Sequence, residues 1–146
     1  MIRDVDGIVI GSGQGGKEVV LFERGAFGGT CINAGCTPSK AFLAVAHAVG
    51  RARRAKALGV RGDVTVDFPF VMERVRDIID TRSKGVRARL LSADGKIVLA
   101  EGSFSGERTV TAGSVTVRAP LVIIDTGATT AIPPTVGSRI QVISTT

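Results

Sequence analysis

The two cysteines of the chain, Cys31 and Cys36, stand with four residues between them, and an apolar, periodic segment opens directly after the second. A disulfide between them would close a small loop and constrain the unfolded chain little compared with a bridge across a long one. Its value is chemical: a pair that can be oxidised and reduced. Thr37 is a good N-cap and Pro38 suits a first helical position, so the unpaired N–H groups and dipole of the helix favour a thiolate at Cys36. Lys40 adds a positive charge one turn in. Two thiols with no His or further Cys nearby cannot close a four-ligand zinc site within one chain. A redox pair and two unconnected buried thiols remain as readings.

Such a pair needs a frame. Gly7-Ile8-Val9-Ile10 reads as a short buried strand, and Gly11-Ser12-Gly13-Gln14-Gly15-Gly16 follows it at once. Gly11, Gly13 and Gly16 meet the GxGxxG spacing in the strand-then-glycine context of a dinucleotide fold. Val19 to Phe22 is a second apolar run ending at Glu23, where such a fold places an acid to hold the adenosine ribose hydroxyls. The spacing then departs from the pattern. Only the eight residues 11–18 separate the two runs, whereas a parallel crossover takes about a dozen or more. Glu23 follows Gly16 by seven residues, against about 20 in the fingerprint. Roughly ten residues of crossover helix are missing by this measure. Their loss removes the helix N-terminus that would carry a pyrophosphate and leaves one sheet face uncovered. A tight hairpin, with the second strand antiparallel to the first, is the alternative connection.

The apolar spacing of Phe42, Val45, Ala46, Val49 and Ala52 predicts a helix from Pro38 to Leu58, ended by Gly59. Asp67 caps a second helix from about Pro69 to Leu91, with Val71, Met72, Val75, Ile78, Ile79, Val86 and Leu90 on one face. A turn at Asp94-Gly95 follows it. Strands are predicted over Lys96–Ala100, Thr109–Thr111, Val115–Val117 and Leu121–Ile124, with Ala112-Gly113 as a hairpin turn. The fold class is therefore α/β: a truncated Rossmann-like domain with a helical pair and a small antiparallel β-meander.

With 146 residues, 44% of them hydrophobic, the chain fits one domain with a real core. The apolar run before Gly11 is too short for a secretory h-region or a membrane span, so the expectation is a cytoplasmic protein with no membrane partner. Cytosolic cysteines are more often free, metal-binding or catalytic than structural. The formal charge is +6, and Arg51, Arg53, Arg54 and Lys56 cluster on the first helix. Phosphate contact and a solvated helix face both fit that run; no aromatic interleaving or nucleic-acid motif accompanies it, so no nucleic-acid partner is expected.

The thirteen residues Gly28 to Lys40, GGTCINAGCTPSK, resemble the active-site segment of the class I pyridine nucleotide-disulfide oxidoreductases, among them dihydrolipoamide dehydrogenase, glutathione reductase and mercuric reductase. Every fixed position of that segment is filled. Asp125-Thr126-Gly127-Ala128, with Ile132-Pro133-Pro134 and Val136-Gly137 beyond it, resembles the family's second flavin motif more loosely, Asp125 standing where alanine is usual. That carboxylate would face the expected flavin phosphates. Thr37 and Ala41-Phe42 lean toward the mercuric-reductase-like branch.

The resemblance implies FAD as cofactor and NAD(P)H as electron donor. A hydride passes to FAD, the reduced flavin reduces the disulfide, and the dithiol reduces a small disulfide or metal-ion substrate. Cys31 would be the interchange thiol and Cys36 the charge-transfer thiol, with Lys40 near the flavin's reactive nitrogen. Gly11, Gly13, Gly16 and Glu23 would hold pyrophosphate and ribose, and Gly29, Thr30, Thr126 and Gly127 would complete the flavin site. An exposed lysine, an ordinary glycine loop and a plain strand-ending turn are the bland alternatives at Lys40, Gly11–Gly16 and Thr126-Gly127. His47, the only histidine, lies inside the long helix without a matching motif. Residues 1–137 are read as a partial FAD-binding domain and 138–146 as the start of a linker to an absent NAD(P)-binding domain. The family's homodimer is built mainly by a further domain that is also absent. No second dinucleotide fingerprint follows Gly127, so this chain alone is not expected to turn over NAD(P)H. A non-catalytic remnant that binds flavin weakly or not at all is the second reading.

Overall fold

A computed structural model of the chain describes residues 2–11, 19–93 and 95–127. Two four-stranded sheets stack face to face, and the longer of two paired helices covers the outer face of one of them. In chain order the strands are β1 (Ile2–Asp4), β2 (Gly7–Ile10), β3 (Val19–Phe22), β4 (Lys96–Val98), β5 (Ser103–Gly106), β6 (Thr109–Ala112), β7 (Val115–Arg118) and β8 (Leu121–Ile124). The helices are α1 (Gly29–Asn33), α2 (Cys36–Arg54) and α3 (Phe68–Ser92), with a 3₁₀ turn at Ala55–Leu58.

The first sheet has the order β4-β3-β2-β8 and is parallel throughout. Its central strands, GIVI and VVLF, are apolar at nearly every position, as strands covered on both faces must be. Ile8, Ile10, Val20 and Phe22 point toward the second sheet and pack with Val110, Ala112, Val117 and Ala119. Val9 and Leu21 point the other way, against Phe27, Val86 and Leu90.

The hairpin alternative for β2 and β3 is not adopted: Gly7 pairs with Val19 and Ile10 with Phe22 in parallel register. Parallel pairing asks the link only to return along one four-residue strand, roughly 10 Å, and eight residues reach more than twice that distance. Nor is the outer face bare, as the lost crossover implied. Val9 and Leu21 are 2% and 3% exposed, because Phe27 and the last turns of α3 lie over them.

The second sheet, ordered β1-β7-β6-β5, holds an antiparallel meander from β5 to β7, with Gly113 at φ 58° in the expected turn between β6 and β7. Of the four strands expected beyond the helices only β6 and β7 belong to it; β4 and β8 join the parallel sheet instead, where their apolar residues lie beside β3 and β2. β1 adds in parallel beside β7, where Arg118 Nε donates to Asp4 Oδ1 at 2.8 Å. Neither β1 nor β5 stands out in the sequence. Both are exposed at sheet edges and carry polar residues, so the ladder to a neighbour defines them rather than an apolar pattern.

The second helix matches its expectation closely, with Asp67 Oδ1 accepting from Phe70 N–H at 3.1 Å. The first begins earlier than expected. Gly35, not Thr37, is its N-cap residue, and Cys36 is the first helical residue. Ser39 N–H donates to Gly35 O at 3.1 Å, which closes the first helical bond there. Pro38 sits third, still among the first-turn positions whose N–H groups have no helical partner. The residues expected in the linker at 138–146 lie outside those described, as does Asp94 of the expected turn.

Candidate redox site

The parallel strands end level with one another. One residue past each strand the ladder continues: Gly11 N–H donates to Phe22 O (2.9 Å), Glu23 N–H to Val98 O (3.0 Å) and Asp125 N–H to Ile10 O (2.7 Å). The carboxyl ends of such a sheet are where doubly wound folds bind their ligands.

Gly11 has φ 101° and its α-carbon lies so close to the Asp125 carbonyl that a methyl group could not be accommodated. The turns after β2 and β8 therefore touch. Gly13 and Gly16 lie outside the described residues. Glu23 sits at the end of β3, its Oε1 accepting from Gly25 N–H at 2.8 Å, so its carboxylate shapes the turn leading to the cysteine segment. Gly127, at φ 71°, faces Thr30: a Cβ there would stand 3.6 Å from Thr30 Oγ1. That approach brings the second glycine turn against the first helical turn of the cysteine segment, with Thr126 and Gly29 beside them in sequence.

Cys31 lies in α1 and Cys36 opens α2; both are exposed free thiols. The intervening turn brings them near enough for each thiol to influence the other. The Cys31 thiol pKa is raised above the usual value first by side-chain hydrogen bonding with Cys36, then by desolvation and by the charge on Cys36, with the Cys36 backbone N–H and then Lys40 pulling the other way. Lys40 is exposed one turn into α2. Asn33 has a role that its place in the motif did not reveal: Nδ2 donates to the carbonyls of Phe27 (3.1 Å) and Gly29 (2.9 Å), with Ala26 O at 3.5 Å. It ties α1 to the loop before it. His47 is an exposed residue of α2. Arg51, Arg53 and Arg54 occupy the last turn of that helix, where positive charge complements its dipole. No group of three or more His, Cys, Asp or Glu among the described residues is placed to hold a metal ion, and no described helix is long and apolar enough to cross a membrane.

The described part of this crevice fits the phosphate-bearing portion of a dinucleotide. Two glycine turns approach backbone to backbone, a threonine hydroxyl faces one of them, and an acid ends the neighbouring strand.

Residues 6–145 match the family model described as pyridine nucleotide-disulphide oxidoreductase. The chain belongs to that family. Among its relatives, a dihydrolipoyl dehydrogenase of Geobacillus stearothermophilus is 30% identical over 119 residues, which is 73% of this chain and 25% of that protein. One from Halobacterium salinarum is 32% identical over 126 residues, 81% of this chain and 26% of the relative. A solved flavoprotein disulfide reductase, RclA from Escherichia coli in a Cu(II) complex, superposes with a TM-score of 0.66 over 88% of this chain and 29% of its own length, at 22% identity. The chain thus spans about a quarter of the length of these relatives. This family of pyridine nucleotide-disulphide oxidoreductases is FAD-dependent, with NAD(P)H as donor, and its Rossmann-like flavin domain corresponds to the stacked sheets and helices seen here.

Proposed function

We propose that this chain is the FAD-binding portion of a disulfide oxidoreductase in which electrons from NAD(P)H reach a redox-active Cys31–Cys36 pair by way of FAD. The observation that carries this reading is the meeting of Gly127 with Thr30. It supports a site at the carboxyl end of the parallel sheet, where the turn after β8 approaches the segment that carries the thiol pair. Gly11, Glu23, Gly29, Thr30, Thr126 and Gly127 would hold the cofactor, together with Gly13 and Gly16 of the glycine loop, and Lys40 would lie near its reactive ring. When bound, FAD supplies a two-electron carrier that accepts hydride and returns electrons to a disulfide.

The protein's own part is thiol–disulfide exchange. Cys31 sulfur bonds to one sulfur of a small disulfide, releasing the other as a thiol, and gives up the proton that its hydrogen bond with Cys36 retains. Cys36 sulfur then attacks Cys31 sulfur, closing the internal disulfide and releasing the second thiol. Substrates of this class, or a metal ion reduced by the same pair, fit the exposed position of both sulfurs. A homodimer and a cytoplasmic location accompany this reading. Residues 1–137 form the flavin portion and 138–146 lead toward a nicotinamide-binding domain.

The short link between β2 and β3 favours a second reading, a non-catalytic remnant, because eight residues fall short of the about a dozen or more of a usual parallel crossover. Mixing the purified protein with FAD, desalting it and recording the visible spectrum before and after dithiol reduction separates the two. Retained flavin with a long-wavelength charge-transfer band on reduction, absent in Cys36→Ser, is expected. A folded protein that loses all flavin would establish the remnant.

A further inference from the structure

Gly35 is a fixed position of the cysteine segment with no chemistry of its own, yet it is the place where the two cysteine-bearing turns press together. A Cβ at Gly35 would lie 3.1 Å from Thr30 O and 3.4 Å from Cys31 Cα. Both are backbone atoms and cannot swing aside as a side-chain tip would. Thr30 O is also the acceptor of Ala34 N–H at 2.9 Å, the bond that closes α1, and Gly35 O accepts the first helical bond of α2. Gly35 is therefore the joint at which α1 abuts α2, one residue before Cys36 and directly against the backbone of Cys31. On the other side of α1, Asn33 fixes the turn to the carbonyls of Phe27 and Gly29.

A disulfide tolerates little error in this spacing: its sulfurs stand about 2.05 Å apart and its Cβ atoms about 3.5–4.5 Å apart, and departures make it more reducible. A methyl group at the joint, pressed against Thr30 O and Cys31 Cα, would push α1 from α2 and carry the two sulfurs away from that spacing.

We propose that Gly35 is a positioning residue that sets the reduction potential of the Cys31–Cys36 pair, its missing side chain letting α1 and α2 approach closely enough for the disulfide to form without strain. The role rests on the redox reading of the pair, and its test needs no flavin. The equilibrium is with glutathione disulfide: Cys31 and Cys36 lose two protons and two electrons as their S–S bond forms, and one oxidised glutathione is cleaved to two reduced molecules.

The full chain, equilibrated across ratios of reduced to oxidised glutathione, quenched by alkylation and weighed by mass spectrometry, reports the fraction of internal disulfide. In Gly35→Ala the midpoint is expected to move toward more oxidising buffer, with the equilibrium constant for disulfide formation falling about tenfold. Gly85→Ala, whose added methyl meets nothing within 4 Å, should leave the midpoint where it is. Asn33→Ala, which frees α1 from the preceding loop, should shift it in the same direction as Gly35→Ala and decides the matter if that variant does not fold. A folded Gly35→Ala with the parent midpoint overturns the role of Gly35 while leaving the redox pair standing. A parent protein that forms no internal disulfide at all removes the redox reading and this role with it.

Discussion

At Cys31 the hydrogen bond to Cys36 keeps a proton on sulfur that an isolated thiol would release more easily. Cys36→Ala removes that side-chain influence together with the neighbouring charge and leaves desolvation, opposed by the backbone N–H of residue 36 and by Lys40. Alkylation of Cys31 by iodoacetamide, which requires the thiolate, should therefore reach half its maximal rate at a higher pH in the parent protein than in Cys36→Ala. Equal midpoints would mean that the two thiols do not interact. The types and spacing of these cysteines are legible directly, because reactivity belongs to the residue. The parts played by Asn33 and Gly35 are not: one works through its bonds to the carbonyls of the preceding loop and the other through the absence of a side chain against a neighbouring backbone. Neither contact has a signature in residue type alone.

Among the elements, α3 is the clearest case of local sequence specifying structure. Asp67 accepts from Phe70 N–H and Pro69 occupies the first turn, as capping requires. Asp67→Ala should lower the free energy of unfolding by about 1 kcal/mol in urea titrations; an unchanged midpoint would show that packing alone starts the helix. The beginning of α2 is the contrary case. Thr37 and Pro38 are good local signals for a start two residues later than the observed one. The joint with α1 and the bond from Ser39 N–H to Gly35 O extend the helix back to Cys36. Capping preference amounts to roughly 0.5–2 kcal/mol, and local contacts of this kind outweigh it.

For the whole molecule, stability turns on the layer between the two sheets, where Phe22 and Ile8 are 1% and 0% exposed and pack with Val110 and Val117. Phe22→Ala should cost about 3–5 kcal/mol, a large share of the 5–15 kcal/mol typical of a folded domain. Chemical denaturation would show it, and a loss below 1 kcal/mol would mean that the layers close over the cavity. The second layer, where α3 covers Val9 and Leu21, bears on function as well as stability. It buries the outer face of β2 and β3, which run parallel to each other and to β8, so that their carboxyl ends, and with them Gly11 and Glu23, lie at the same sheet end as Asp125.

The sequence by itself determined the local elements: a cysteine pair at a helix start, apolar strands, two long helices and the β6–β7 hairpin. Each of these is encoded within a few neighbouring residues. Only the tertiary structure decided that β2 and β3 run parallel despite their short link, that α3 and Phe27 take over the exposed face, that β1 and β5 are strands, and that Gly127 meets Thr30 across the end of the sheet. Except for β5, which pairs with the strand that follows it, those outcomes depend on partners distant in sequence. Burial of apolar area and pairing of edge hydrogen bonds select among arrangements that the local signals leave equally open.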